Sequence, residues 1–319
     1  MLQLIRLMLV FGSVFFAMAA HAAWPERAVT VMVPFTAGGI TDVLARLVSE
    51  RLQDALKQPF VVENVPGAAG IIAAERVLRA PPDGYTLLFT PIFQITMAPF
   101  TNNVTFDPVK DFKPVAPVGA SPFVITVGAS VPANTLAEFI AYVKQQPGMV
   151  TYGSAGSGSL THVASAAFLK SAGLEMIHVP YRGLGQAFTD LLAGHVAMVS
   201  VTPVELKPYL GSRKVKPLAV TSATRSKQLP DVPTVGETIK SPPVVTYNGL
   251  LAPGRVPQDI VDLLAREIVA AEMSPEFQER LVSVGVDPVI ATPAEFAKII
   301  AADTERWRDT VRDLNLKPQ

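Results

Sequence analysis

In VTVMVPFTAGGITDVLARLVSERL, residues 29–52, an apolar run halts at Pro34, loosens through Thr36-Ala37-Gly38-Gly39, and resumes with apolar residues at 43, 44, 47, 48 and 52. The first part has the β-branched, uniformly apolar character of a buried strand, and the second the spacing of an amphipathic helix. Two glycines and small residues at such a handover have two readings. One is a tight turn. The other is a backbone site, because the first N–H groups of a helix lack internal partners and carry a partial positive charge. Glycine then lets a guest approach those amides closely.

The same design returns midway along the chain. Val150-Thr151-Tyr152 reads as a short strand, Gly153-Ser154-Ala155-Gly156-Ser157-Gly158-Ser159 as a loop, and residues 160–170 as a helix with Gly173 beyond its end. Between these two points strand-like and helix-like segments alternate. Residues 60–63 form a second strand, 71–79 a helix, Pro81-Pro82-Asp83-Gly84 a turn and 85–90 a third strand, followed by a Pro-rich connector over 107–122. Strand character at 123–127 and a helix over 135–145 come next. After the second glycine loop, strands at 176–179, 196–201 and 215–220 alternate with a helix at 186–193. Such β-α-β passes imply parallel sheets with right-handed crossovers. Residues 245–252 look like a strand returning to the first unit, and 257–272, 274–284 and 292–314 like terminal helices. The expected organisation is an α/β chain of two lobes: residues 23–122 plus 247–319 in one, and 123–246 in the other. Two linkers between lobes allow a hinge.

Composition narrows the possibilities. The 319 residues hold 27 basic and 27 acidic side chains with no run of like charge, so nothing suggests nucleic acid as a partner. Residues 1–22 carry a short basic head, an apolar run over 7–20 and the small-x-small triplet Ala20-His21-Ala22; they read as a secretory signal peptide cleaved near Ala22. No later stretch is long and apolar enough for a bilayer. Cysteine is absent, which removes disulfides, thiolate metal sites, thiol nucleophiles and a lipid-anchoring cysteine. A free periplasmic protein is the expectation.

Enzymatic readings find little support. Ser159, His162 and Asp42 suggest a hydrolase triad, but Gly156-Ser157-Gly158 lacks the spacing of a nucleophile elbow. The histidines at 162, 178 and 195 form no ligand pair, so no metal site is expected. Gly156-Ser157-Gly158-Ser159-Leu160-Thr161 has Thr where a dinucleotide fingerprint needs its third glycine, so no cofactor is expected either. What the two loops offer is an anion clamp: opposed helix starts gripping one carboxylate with backbone amides. Thr41 and Asp42 have two readings, as caps for the first helix or as ligand contacts, and the same holds for Ser154, Ser157, Ser159, Thr161 and His162.

Pro34-Phe35-Thr36-Ala37-Gly38-Gly39-Ile40-Thr41-Asp42 followed by Ala45-Arg46 resembles the first-loop signature of Bug-type receptors, the periplasmic substrate-binding proteins of tripartite tricarboxylate transporters. The resemblance runs the length of the mature chain, through Pro82-Asp83-Gly84-Tyr85, Asp107-Pro108-Val109-Lys110-Asp111-Phe112, the Tyr152-to-His162 stretch, His178-Val179-Pro180-Tyr181-Arg182-Gly183 and Leu229-Pro230-Asp231-Val232-Pro233-Thr234. It implies a type II periplasmic-binding-protein-like "Venus flytrap", each lobe a mostly parallel sheet flanked by helices, that takes a small organic carboxylate and presents it to membrane permease subunits, as a monomer. It assigns to the pocket Phe35, Thr36, Ala37, Gly38, Gly39, Ile40, Thr41 and Asp42 from the first loop. From the second it assigns Ser154, Gly156, Ser157, Gly158, Ser159 and His162, with Thr90 and Thr202 lining the rest. Departures from the family pattern include Thr36 in place of Pro, Pro91 where small hydroxyl residues are common, and Ala197 where Asp is common. They leave a pocket wall less acidic than usual. Two other readings remain, a sensor subunit of a two-component system on the same fold and, more remotely, a periplasmic hydrolase.

Overall fold

A computed structural model describes residues 24–313. The leader read at 1–22 lies outside the described residues. β1 (Val29–Val33) sits between β2 (Phe60–Asn64) and β3 (Thr86–Pro91) and runs parallel to both. Its run of valines suits a central strand buried on both faces. α1 (Ile40–Leu56) lays Leu44, Ala45, Leu47, Val48 and Leu52 on that sheet, against Val261, Leu264 and Ile268 of α8 (Gln258–Glu272). α2 (Ile71–Arg79) covers the opposite face through Ala73, Ala74 and Val77.

The residues that follow depart from the sequence reading. α3 (Ile92–Thr101) is a helix with Pro99 in its last turn, and β4 (Phe112–Pro122) is a strand rather than a connector. Pro114, Pro117 and Pro122 are tolerated because β4 is the outermost strand, in the order β2-β1-β3-β10-β4, so one of its sides needs no ladder. Its partner β10 (Val245–Pro253) runs antiparallel to both β3 and β4, with two register shifts.

The second sheet repeats this plan in the order β7-β6-β8-β5-β9. β6 (Thr151–Ser154) is parallel to β7 (Ile177–Pro180) and β8 (Met198–Val201), while β5 (Val124–Gly128) is antiparallel to β8 and β9 (Val215–Val220). α4 (Leu136–Lys144), α5 (Leu160–Ala172) and α6 (Leu184–Ala193) flank it. In each sheet, then, one antiparallel strand follows directly on a passage from the other, and the remaining four are parallel. This is an α/β fold of two lobes with mixed sheets flanked by helices.

The chain passes between sheets at Phe123 and again between Thr221 and Val244. The two passages are tied together: the N–H of Phe123 donates to Thr221 Oγ1 at 2.8 Å, the N–H of Thr221 to the Phe123 carbonyl at 2.8 Å, and the N–H of Val244 to the Thr221 carbonyl at 2.8 Å. Beside them α10 (Pro293–Asp313) brings Trp307 and Val311 against Met97 of α3 and Val163 and Ala164 of α5, an apolar cluster that spans both lobes. Among the described residues no helix is long and apolar enough to cross a membrane.

Candidate functional site

The first glycine loop is held from below by a carboxylate. Asp42 is almost fully buried and accepts from the Gly38 N–H at 2.9 Å and Arg46 Nε at 3.0 Å on Oδ2, and from Asn64 Nδ2 at 2.9 Å on Oδ1. Asn64 Nδ2 also reaches the Phe35 carbonyl at 2.9 Å. Gly38 has φ +90°, a left-handed conformation that suits glycine. Burial alone would raise the Asp42 pKa, but the bonds from Arg46, Gly38 and Asn64, with the Arg46 charge, outweigh it and bring it down to about 2. Thr41 turns inward too, donating from Oγ1 to Asn248 Oδ1 at 3.0 Å.

Neither side chain therefore caps α1. Gly39 holds the N-cap position, and no side chain bonds to the helix start. Among the described residues the amides of Thr36, Ala37, Gly39, Ile40, Thr41 and Asp42 find no acceptor in the protein, and residues 36–40 are exposed. This is a loop braced by buried side chains, with a set of N–H groups that no protein acceptor among the described residues takes.

The second loop is held by imidazoles. His162 is buried, and its Nδ1 accepts from the Gly158 N–H at 3.0 Å. Its ring stacks on His178 with centroids 3.8 Å apart and planes 6° from parallel. β6–β7 pairing sets Tyr152 opposite His178, where the rings lie 5.0 Å apart. His178 Nε2 reaches Ser154 Oγ at 2.7 Å. Burial, with the neighbouring His178, lowers the His162 pKa to about 4, and burial lowers that of His178. Both rings are therefore neutral at physiological pH.

Here the amides are largely spoken for. Ala155 N–H donates to Thr161 Oγ1 at 2.9 Å, Gly156 N–H to Ser154 Oγ at 3.2 Å, and Ser159 N–H to the Gly156 carbonyl at 3.1 Å. Ser159 caps α5, its Oγ accepting from the His162 N–H at 3.3 Å. Ser157, Leu160 and Thr161 retain amides without an acceptor among the described residues. The hydrolase triad is not assembled: Ser159 Oγ meets the backbone of His162 and not its ring, and Asp42 is engaged with Arg46 and Asn64. The Ser–His pair that is in contact, Ser154 with His178, has its serine fully buried.

The two loops meet across a cavity of about 390 Å³, within the range of small-molecule sites. Phe35 comes from the first loop, Gly158, Ser159 and Leu160 from the second, and Pro91, Phe93, Gln94, Met97, Ala98, Thr101 and Asn102 from the end of β3 and along α3. Of the residues singled out from sequence, Phe35, Pro91, Gly158 and Ser159 line this space. Thr36, Ala37, Gly38, Gly39 and Ile40 form the exposed loop beside Phe35, and Gly156 and Ser157 belong to the second loop. Thr41, Asp42, Thr90, Ser154 and His162 are buried, and Thr202 is held by Glu205, whose Oε2 accepts from its N–H at 2.8 Å and its hydroxyl at 2.9 Å. Apart from Pro91 at its start, the wall supplied by α3 has no signature in the sequence.

The chain matches the family model described as "Tripartite tricarboxylate transporter family receptor" over residues 44–316. It is 33% identical to the protein BugT of Bordetella pertussis over 333 residues, covering 99% of each chain. A protein encoded in the tcbD-tcbE intergenic region of Pseudomonas sp. strain P51 is 33% identical over 296 residues, covering 92% of this chain and 88% of that one. Among solved structures, a TctC solute-binding protein from Polaromonas superposes with TM-score 0.82 at 31% identity, covering 91% of this chain and 99% of that one. An R. palustris protein solved with adipate gives TM-score 0.74 at 32% identity, with 93% and 100% coverage. MatC from Rhodopseudomonas palustris, with bound malate, gives 0.69 at 31% identity, with 90% and 100% coverage.

Proposed function

Since the chain belongs to the tripartite tricarboxylate transporter receptor family, and so is a solute-binding receptor, we propose that it captures a small organic carboxylate between its lobes, with the first glycine loop as the principal anion site. The observation that carries this reading is the uncapped start of α1. Its amides at Ile40, Thr41 and Asp42 have no acceptor among the described residues, and the Asp42–Arg46–Asn64 brace fixes the loop beneath them. Hydrogen bonds in which one partner is charged contribute about 1.5–3 kcal/mol each. A carboxylate there meets several donors that need no reorganisation.

On this reading residues 35–42 hold the anion, and the second loop, with Ser157, Ser159 and the free amides of Leu160 and Thr161, closes over it. The lobes divide at the two chain passages, near residues 122 and 246, and rotate about the Phe123–Thr221–Val244 knot. A ligand bonded to both loops only when they approach favours the closed form by the energy of those added bonds. The closed monomer would then be recognised by the membrane permease of the transporter, in the periplasm after loss of the leader. Two relatives solved with adipate and with malate are consistent with a carboxylate guest.

Thermal denaturation against a panel of mono-, di- and tricarboxylates tests the proposal. A ligand at one hundred times its Kd adds about 2.7 kcal/mol to stability, a shift of several degrees. A melting temperature that no member of the panel moves would overturn it.

A further inference from the structure

We propose that this receptor selects a monocarboxylate with an apolar body over di- and tricarboxylates, with Phe35, Phe93, Met97 and Leu160 as the residues that set the preference. The inference rests on the receptor reading above and narrows its ligand class. Two independent observations carry it. The first is the lining of the cavity between the loops: two aromatic rings, a thioether, Leu160, Pro91 and Ala98, with Gln94, Thr101, Asn102 and Ser159 as its polar side chains and no ionisable group among them. The second is the unequal supply of amides. The first loop leaves six without an acceptor among the described residues, whereas the second spends those of Ala155, Gly156, Gly158, Ser159 and His162 on its own side chains and carbonyls.

A guest with one carboxylate satisfies this arrangement. The anion sits on the first loop, and the remainder of the molecule lies along α3, where Phe93 and Met97 remove it from water. A second carboxylate in the same cavity would meet no cation and only the neutral donors of Gln94, Thr101, Asn102 and Ser159, which offset less of its lost hydration than a charged partner would. Phe93 is fixed by an edge-on contact with Trp307, ring centroids 5.3 Å apart, and Met97 is buried in the cluster between the lobes. These contacts make the apolar wall part of the packed framework.

Matched ligand pairs isolate the second charge. Calorimetry on the purified protein with hexanoate against adipate, and with benzoate against terephthalate, should show the monoacid of at least one pair binding tenfold or more tightly than its diacid. Gln94→Lys, which places a cation in the cavity at a half-exposed position, should narrow that gap by raising diacid affinity. Leu160→Ala, at the half-exposed first position of α5, should weaken hexanoate by roughly tenfold, the scale of a lost apolar contact in a binding pocket. Diacids binding as tightly as their monoacid partners would overturn the inference and leave the receptor reading standing. No binding of either member of either pair at millimolar concentration would overturn it as well, and only silence across the wider carboxylate panel would remove the receptor reading with it.

Discussion

At the start of α1 a glycine occupies the N-cap position and no acceptor among the described residues meets the amides beyond it, whereas at the start of α5 a serine caps the helix and a histidine ring accepts from the loop. The two positions are equivalent in topology, each following the central parallel strand of its sheet. Their braces differ in kind. Asp42 holds the first loop as a buried anion tied to Arg46 and Asn64, and two stacked neutral imidazoles hold the second. The difference suits a division of labour. On the proposed reading, the lobe with free donors and a charged brace holds the anion before closure, and the lobe whose donors are occupied contributes mainly after the two meet. A symmetric clamp would need both tips open.

The sharpest way to break this contrast is acid, because the two braces titrate apart. His162 is held neutral by burial beside His178, with its pKa brought from 6.5 to about 4. The unfolded chain takes up a proton in that interval and the folded one does not, so stability falls as pH drops from 6.5 towards 4. The loss is about 3 kcal/mol for a shift of that size. His162→Asn cannot titrate and retains an oxygen able to accept from Gly158. Urea denaturation at pH 7, 5.5 and 4 should show a shallower acid slope in the variant than in the parent. Equal slopes would mean that the stack is not what responds.

The brace of the first loop responds in a lower window. Asp42 has its folded pKa depressed from 3.8 to about 2, so its contribution is present above pH 4 and disappears as pH falls through 2. That shift corresponds to about 2 kcal/mol. Asp42→Asn should therefore destabilise the protein by roughly that amount at pH 7 and by much less at pH 2, read by the same denaturation series. It should also weaken carboxylate binding, since the loop amides lose the group that aims them. A variant that binds as tightly as the parent would show that the loop keeps its shape without the brace.

Gly39→Ser would make the first tip resemble the second. Gly39 has φ −76° and ψ 165°, which any residue adopts, and a Cβ there meets only the Thr36 carbonyl, at 3.9 Å. The new hydroxyl gains an N-cap bond, worth a few tenths of a kcal/mol over glycine. It would occupy amides that the proposed function gives to the anion, so affinity for a bound carboxylate should fall about tenfold, or about 1.4 kcal/mol. A stabilised protein with undiminished affinity would place the anion elsewhere.

Much of this contrast was legible in the sequence, and its missing parts have identifiable causes. Apolar runs and helical spacing marked both strand–loop–helix units, because each buries one face in a large core. Residues 91–122 were opaque. Pro91 and Pro99 flank and interrupt the periodicity of α3, where Pro99 removes the N–H that would bond Ile95 and the helix persists on the burial of Ile92, Ile95, Met97 and Ala98, and three prolines disguise β4, which tolerates them only as an edge strand. The consequence was functional, since α3 supplies the apolar wall of the cavity. The imidazole stack was beyond sequence reading for another reason: His162 and His178 meet only through the register of β6 with β7. Ser159 could be read as a cap or a ligand contact, and the position of its Oγ on the His162 N–H favours the cap.

Ser159→Ala reverses the Gly39 experiment and is expected to have the smallest effect. Losing an N-cap hydroxyl costs about 1 kcal/mol of stability, which lowers the melting temperature by a few degrees at most in a chain of this size. The same change frees the His162 amide at the tip of α5, adding it to those of Leu160 and Thr161. An anion reaching that tip on closure would then find one more donor. Saturating carboxylate should therefore stabilise Ser159→Ala by more than it stabilises the parent, whereas it should stabilise Gly39→Ser by less. A smaller ligand shift in Ser159→Ala would mean that the serine hydroxyl itself touches the guest, and the contrast between an open tip and a self-capped one would have to be redrawn as two tips that both bind.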